Sequence, residues 1–168
     1  MQEGSREAFA ALFKTYYSEL KVYGTKFSGS PELAQEGIQL LFLKIWERKH
    51  RLSAVQNPRS YLLRAYRSTL LDLLNQDQKR RDQLTNLTFQ FNRQELPPLS
   101  ETLSAATIFQ LVNQLSDKQR EIIFLKFYNN LSYQEIAEVL GINYQTVRNY
   151  MSKSIALLRK KINFSQKK

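Results

Sequence analysis

The stretch that decides the fold runs from Leu115 to Lys161 and reads LSDKQREIIFLKFYNNLSYQEIAEVLGINYQTVRNYMSKSIALLRKK. Its apolar residues recur at steps of three and four, which is typical of amphipathic helices. Two capping boxes, Ser116 with Gln119 and Ser132 with Glu135, predict where helices begin. We therefore expect three short helices joined by tight turns, the last of them basic.

The middle of this stretch, Tyr133 to Tyr150, has the spacing of a helix-turn-helix motif. Ala137 falls where two helices touch, Gly141 falls in the turn, and Val147 faces inward from the second helix. Asn143 is the predicted N-cap of that second helix. The predicted inward positions are Ile136, Ala137, Leu140, Ile142, Val147 and Tyr150. Such a motif leaves its second helix outside, where it can enter the major groove of DNA.

The outward side of the second helix carries side chains that suit a DNA groove. Gln and Asn can pair with adenine, Arg can pair with guanine, and Ser, Thr and Lys can contact phosphates. The candidate duplex-binding residues are Gln145, Thr146, Arg148, Asn149, Ser152 and Lys153. The first four are the strongest candidates because base contacts come mainly from the first turns of a recognition helix.

The charge of the chain indicates a polyanionic partner. The 168 residues carry a formal net charge of +10, and residues 106–168 contribute 10 basic and 4 acidic side chains to it. Lysines and arginines that displace counterions from phosphates drive such association.

The absence of cysteine excludes disulfides and thiolate metal sites and fits a cytoplasmic location. No membrane insertion is expected, since no apolar run reaches the roughly 18 residues of a membrane span and the N-terminus lacks signal-peptide order.

The rest of the chain is also helical in pattern. Apolar spacing predicts a first helix over about 5–27, a second from Pro31 to about 49, and a third from Pro58 to about 78. Ser30 and Asn57 precede the two prolines and are predicted N-caps.

The expected fold class is all-α, with two small helical domains. Residues 79–104 are polar and contain Pro97-Pro98, which predicts a flexible linker. The predicted domains are therefore residues 1–78 and 105–168.

Side chains near the start of the third helix mix cations, hydroxyls and an aromatic ring. Charge can track the backbone of single-stranded DNA, while rings or pockets hold unstacked bases. The candidate single-strand-binding residues are Arg48, Lys49, Arg51, Arg59, Tyr61, Arg64, Arg67 and Ser68. Taken alone, the same pattern also fits a solvated charged face.

The second helix carries two apolar stripes. The wide stripe should face the core and consists of Ala34, Ile38, Leu41, Phe42, Ile45 and Trp46. Leu33, Leu40 and Leu43 lie opposite among charged residues, a pattern that fits either a protein-docking face or packing against another helix. Gly37 in the helix interior should cost about 1 kcal/mol relative to Ala.

On these residues the chain resembles the RNA polymerase sigma factors of the extracytoplasmic-function group of the sigma-70 family. Leu115–Lys161 resembles sigma region 4, and AFAALFKTYY, PELAQEGIQLLFLKIWERK and NPRSYLLRAYRSTLLDLL resemble sigma region 2. The resemblance implies a non-enzymatic specificity subunit that needs no metal or cofactor, binds core RNA polymerase and directs it to promoter DNA.

The resemblance also implies where each partner binds. The second helix would dock on the clamp helices of the polymerase largest subunit through Glu36, Gln39, Leu40, Leu43 and Lys44. The third helix and the loop before it would read the minus-10 element as it melts, with a flipped base held by loop residues 50–57. The recognition helix would read the minus-35 element as duplex, and its domain would touch the polymerase flap. An anti-sigma factor is the expected regulatory partner.

Two other classes of DNA-binding protein are alternatives to a sigma factor. A stand-alone helix-turn-helix regulator with an N-terminal dimerisation or sensor domain predicts palindromic half-sites and binding without polymerase. A DNA enzyme such as a recombinase needs a carboxylate cluster for metal or an activated nucleophile, and the sequence offers neither pattern.

Overall fold

Helices account for almost all of the chain that this computed structural model describes, namely residues 3–48, 55–80 and 111–165. They are α1 (Glu3–Ser28), α2 (Pro31–Glu47), α3 (Pro58–Arg80), α4 (Asp117–Phe127), α5 (Tyr133–Leu140) and α6 (Tyr144–Ser165). Residues 111–113 are also helical. The chain divides into two compact units, Met1–Leu87 and Thr88–Lys168. The predicted all-α class with two helical domains is confirmed.

The predicted helix starts are confirmed by their caps. Ser30, Asn57 and Asn143 each accept the backbone N–H three residues further on, at 3.2, 3.1 and 2.7 Å. The capping boxes that begin at Ser116 and Ser132 are both complete. Each cap satisfies backbone amides that have no partner inside the helix, which is why the helices begin where the sequence predicts.

The helix ends differ from the predictions by up to two residues. α2 ends at Glu47, two residues early, and α3 continues through Arg80, so the first two residues of the predicted linker are helical. Lysine and arginine, the residue types at positions 79 and 80, have good helix propensity. A polar composition alone therefore does not mark the last turn of a helix. Linker residues 81–104 and residues 105–110 of the second predicted domain lie outside the described part of the chain.

The first unit packs α1, α2 and α3 around Tyr66 of α3, whose side chain is fully buried. Its hydroxyl donates to the Ala34 carbonyl of α2 at 2.7 Å. Burial raises the pKa of the Tyr66 hydroxyl, so this donor stays protonated. A Cβ added at Gly24 of α1 would overlap that hydroxyl, and one added at Gly37 of α2 would lie 3.0 Å from the Tyr66 ring. Both glycines therefore make room for the tyrosine.

The wide apolar stripe of α2 faces the core as predicted. Ala34, Ile38, Leu41, Phe42 and Ile45 are buried, and Trp46 is half-buried. Gly37 is buried in the same face. The propensity cost expected for Gly37 therefore has a packing reason, because a side chain there would press on Tyr66 and Leu70 of α3.

The second unit packs α4, α5 and α6 on one another. Between residues 133 and 160, the buried residues of α5 and α6 are Ile136, Ala137, Val139, Leu140, Val147, Met151, Ser154 and Leu158. The predicted inward residues Ile142 and Tyr150 are half-buried. Gly141 joins the two helices with φ 63°, and the Ile142 amide donates back to the Ala137 carbonyl at 3.1 Å. This left-handed cap closes the predicted turn.

Replacing Gly24 with alanine tests the packing around Tyr66. We expect Gly24→Ala to lower the free energy of unfolding by about 1–3 kcal/mol, because overpacking outweighs the gain in helix propensity. Chemical denaturation of the full chain, followed by circular dichroism, measures the effect. In a Tyr66→Phe background the hydroxyl is gone and the same substitution should cost less. An equal cost in both backgrounds would contradict the proposed clash.

Candidate nucleic-acid interface

The side of α6 opposite its buried residues is open to solvent. Of the predicted duplex-binding residues, Gln145, Arg148, Asn149, Ser152 and Lys153 are exposed and Thr146 is half-buried. At about 100° per residue, Gln145, Asn149 and Ser152 lie along the middle of this face. The Gln145 side-chain amide donates to Asn149 Oδ1 at 3.1 Å. The structure thus places the predicted residues on one helix face, with two amides in contact at its centre.

One edge of this face is built from aromatic rings and cations. The Arg148 guanidinium lies 5.9 Å from the ring centroid of Tyr144, which is 45% exposed. The centroids of the Tyr144 and Tyr133 rings are 6.3 Å apart. Lys126 Nζ lies over the Tyr133 ring, 5.2 Å from its centroid. Sequence reasoning missed Tyr144, although its spacing of four from Arg148 places the two side chains together on a helix.

The opposite edge of the face holds Thr146 and Lys153, which are half-buried and exposed respectively. The first turn of α6 contains no acidic residue. The positive end of the helix dipole is therefore not neutralised by a local carboxylate, and such a helix start favours phosphate.

A groove between α2 and α3 collects part of the predicted single-strand set. The groove has a volume of about 240 Å³, and the residues that line it include Lys44, Arg48, Tyr61 and Ser68. Lys44, predicted for polymerase contact, lies on the α2 flank that faces α3, with Nζ 3.4 Å from Thr69 Oγ1. The structure groups Lys44 with the single-strand set, a placement that the spacing along α2 alone did not reveal.

The three arginines of α3 that belong to the predicted single-strand set have different surroundings. Arg59 forms an ion pair with Glu19 of α1, with Nη2 2.6 Å from Oε1, and both side chains are partly buried. The Arg67 guanidinium lies 5.3 Å from the ring centroid of Phe27. Arg64 is exposed. Arg59 therefore fastens α3 to α1, which sequence reasoning could not see because Glu19 lies 40 residues earlier.

Two members of the predicted single-strand set, Lys49 and Arg51, lie outside the described residues, as do loop residues 50–54. The described end of this loop, from Val55, leads directly into the Asn57 cap of α3. The start of α3, which carries Arg59 and Tyr61, is thus fixed relative to the core.

The outer side of α2 carries the remaining residues predicted to bind polymerase. Glu36 and Gln39 are exposed, Leu40 is half-buried, and Leu43 is 56% exposed. The helices that the structure describes in this unit do not cover Leu43. Leu33 and Leu40, the other members of this leucine stripe, are half-buried, so Leu43 is the member of the stripe that remains exposed for docking.

Across residues 3–48, 55–80 and 111–165, no helix combines the length and apolarity that a membrane span requires. Over the same ranges, no three His, Cys, Asp or Glu side chains converge as a metal site would need.

Two family models match the chain. The model described as "Sigma-70 region 2" matches residues 12–81, and the one described as "Sigma-70, region 4" matches residues 106–158. The first match contains α2 and the groove, and the second contains the outer face of α6. The two surfaces found in the structure therefore fall inside the two matched regions.

Individual relatives point to the same family. The ferric citrate uptake sigma factor FecI of Escherichia coli is 27% identical over 151 residues, covering 88% of this chain and 86% of FecI. The ECF RNA polymerase sigma factor SigK of Mycolicibacterium vanbaalenii is 25% identical over 165 residues, covering 92% of this chain and 81% of SigK.

A solved structure shares the fold. The Bartonella quintana sigma factor RpoE, crystallised with the anti-sigma factor NepR, gives a TM-score of 0.69 at 18% identity, covering 94% of this chain and 98% of that one. A stand-alone helix-turn-helix regulator is not favoured. With both sigma regions matched, the chain belongs to the extracytoplasmic-function group of the sigma-70 family of RNA polymerase sigma factors.

Proposed function

We propose that this chain directs core RNA polymerase to a set of promoters by reading the minus-35 element as duplex and the minus-10 element as melted single strand. The observation that carries this proposal is the exposed face of α6. Val147, Met151 and Leu158 bury one side of the helix, so the opposite side is available to a major groove. That face carries amides, hydroxyls and cations, the side chains that contact bases and phosphates.

The groove between α2 and α3 is the proposed site for the melted strand. Lys44 and Arg48 would hold phosphates, and the Tyr61 ring, which is 37% exposed, would stack on a base. Ser68 would offer a hydrogen bond from the same groove. Arg64 lies one helical turn beyond Ser60 and Tyr61 and would extend the cationic path along α3.

The outer side of α2 is the proposed docking face for the clamp helices of the polymerase largest subunit. Leu43 supplies an exposed apolar anchor, and Glu36 and Gln39 supply a polar rim, the arrangement found in protein interfaces. The second unit would touch the polymerase flap. Because the groove lies on one flank of α2 and Leu43 lies on the outer side, polymerase and DNA could be held at once.

The division of labour between two units explains how one small chain assists melting. Extruding a base costs a few kcal/mol, and binding of the flipped base would offset part of that cost. Once one unit has bound, the tether raises the effective concentration of the other. The polymerase supplies the phosphoryl-transfer chemistry, so we infer that this chain is a non-enzymatic subunit without a cofactor.

We further infer a regulatory partner and a location. The related RpoE of Bartonella quintana is known in complex with an anti-sigma factor, which supports an anti-sigma partner for this chain as well. Core polymerase and promoter DNA lie in the bacterial cytoplasm, so a factor that needs both would act there.

Reconstitution with core polymerase tests the whole proposal. Transcription from a genomic promoter library should give start sites that share two upstream elements at a constant spacing, because two units joined by one chain engage DNA together. Mapping of the transcript 5′ ends measures this. Start sites without a shared pair of elements, or sequence-specific binding as a symmetric dimer without polymerase, would contradict the proposal.

Arg64→Ala tests the role of α3 in strand separation. We expect the reconstituted holoenzyme to bind promoter DNA initially as before but to form open complexes about tenfold more slowly, equivalent to about 1.4 kcal/mol. Stopped-flow fluorescence of a 2-aminopurine placed in the minus-10 element measures the opening rate. Lys21→Ala on α1 removes the same charge from an exposed position and serves as the control. Equal slowing by both variants would contradict the assignment.

Arg148→Ala tests the role of α6 on intact duplex. We expect the affinity of the holoenzyme for upstream duplex to fall about tenfold, since an arginine contact to DNA contributes about 1–3 kcal/mol. The opening rate of complexes that do form should stay unchanged. Arg159→Ala, further along the same helix and also exposed, is the matched control and should lose less. Fluorescence anisotropy over a salt series separates the two variants, and identical losses would count against Arg148 as a specific contact.

A further inference from the structure

The side-chain amides of Gln145 and Asn149 at the centre of the α6 face indicate which base this surface recognises. We propose that Asn149 reads an adenine in the major groove of the upstream duplex element and that Gln145 is a positioning residue that fixes the orientation of the Asn149 amide. The inference rests on the proposed function, since it names the base that the duplex-reading face prefers.

The geometry of the pair is specific. Gln145 and Asn149 are both exposed, and the Gln145 side-chain nitrogen donates to Asn149 Oδ1 at 3.1 Å. Residues four apart are neighbours on a helix, so the bond forms without distortion of the backbone. Both residues lie in the first two turns of α6, the part of a recognition helix that reaches base edges.

The hydrogen-bonding capacity that remains on Asn149 matches adenine. A carboxamide oxygen has two lone pairs and the nitrogen has two hydrogens. The bond from Gln145 uses one lone pair, which leaves one acceptor site beside two donors. In the major groove adenine presents the N6 amino donor beside the N7 acceptor, whereas guanine presents the two acceptors O6 and N7. Asn149 would pair with adenine through two bonds and would face guanine with one mismatched oxygen.

Gln145 contributes by deciding which way the Asn149 amide is turned. A free asparagine amide can rotate by half a turn, and in that orientation its nitrogen would face the adenine amino group. In the structure the Gln145 nitrogen donates, so the Asn149 oxygen is already on the side that suits adenine. Because the two amides are paired before DNA arrives, less side-chain ordering remains to be done on binding. Gln145 therefore acts through Asn149.

Arg148 and Lys153 of α6 lie at the edges of the face, and the two amides lie at its centre. Arg148 lies on one edge over the Tyr144 ring, and Lys153 lies on the other edge. Lys153 on its edge is placed for a phosphate that flanks the groove, a contact that fixes register and carries no base information. Arg148 on the other edge is placed for a neighbouring base pair, so the base opposite the centre of the face would be read by the amide pair.

Substitution of single atoms in DNA tests the proposal. Holoenzyme reconstituted with core polymerase first selects upstream duplexes from randomised DNA. Each adenine of the selected element, on either strand, is then replaced singly by 7-deazaadenine, which lacks the N7 acceptor. At one position the wild-type protein should lose about fivefold to tenfold in affinity, within the range for one base contact. The Asn149→Ala variant should bind the natural duplex about tenfold more weakly and show no further loss with the analogue at that position.

A double-mutant comparison tests the positioning role. Gln145→Ala should bind the natural duplex about threefold more weakly, and the double variant should bind like Asn149→Ala alone, because coupled residues are not additive. The matched control is Lys153→Ala, which should weaken binding to all sequences alike, reduce the salt dependence, and keep the full sensitivity to the analogue. All these side chains are exposed, and thermal unfolding of each variant verifies that the second unit stays folded.

Three results would overturn the inference: a selected element without a fixed A·T pair, an Asn149→Ala variant that keeps the sensitivity to the analogue at every position, or additive losses for Gln145→Ala and Asn149→Ala. If the holoenzyme transcribes from promoters with a fixed upstream element while one of these results is obtained, only the adenine assignment fails. If it gives no promoter-specific transcription at all, the proposed function fails and the inference fails with it.

Discussion

The left-handed turn at Gly141 is the constraint on which the duplex-reading surface depends. Its φ of 63° and the bond from the Ile142 amide to the Ala137 carbonyl end α5 and redirect the chain into α6 within three residues. A residue with a Cβ pays about 1–2 kcal/mol per residue for such a conformation. Because the turn is short, Val147 and Met151 come to lie in the core, and the opposite side of α6 is left uncovered by the helices described between residues 111 and 165.

The first unit is governed by a different contact. The Tyr66 side chain packs against Gly24 of α1 and Gly37 of α2, where there is no Cβ to obstruct it. Its hydroxyl donates a hydrogen bond to the Ala34 carbonyl. This ring packs α3 against α2. The same two helices line the groove, with Lys44 and Arg48 on its α2 side. The buried flank of α2 also determines that Leu43 points outward. The two proposed binding surfaces of this unit thus lie on two different sides of α2.

Net charge drives the approach to DNA, but the surroundings of each cation decide its role. Arg59 is engaged by a carboxylate, Arg67 lies over an aromatic ring, and Arg148 lies over another. A partly buried ion pair is costly to separate, because the remaining charge would be left without its partner. Arg59 therefore belongs to the scaffold of the first unit as much as to any DNA surface.

The sequence by itself determined the helix starts, the core stripe of α2 and the outward face of α6. These features follow from caps and from spacings of three and four, which act within one or two turns of chain. Helix ends were less certain because no single residue enforces them, as the extension of α3 to Arg80 illustrates. Only the tertiary structure showed that Glu19 forms an ion pair with Arg59 and that Lys44 lines the groove beside Thr69. It also showed that a side chain at Gly37 would crowd the Tyr66 ring. Those contacts join residues from 25 to 40 positions apart, and a local pattern carries no information about which distant surfaces will meet.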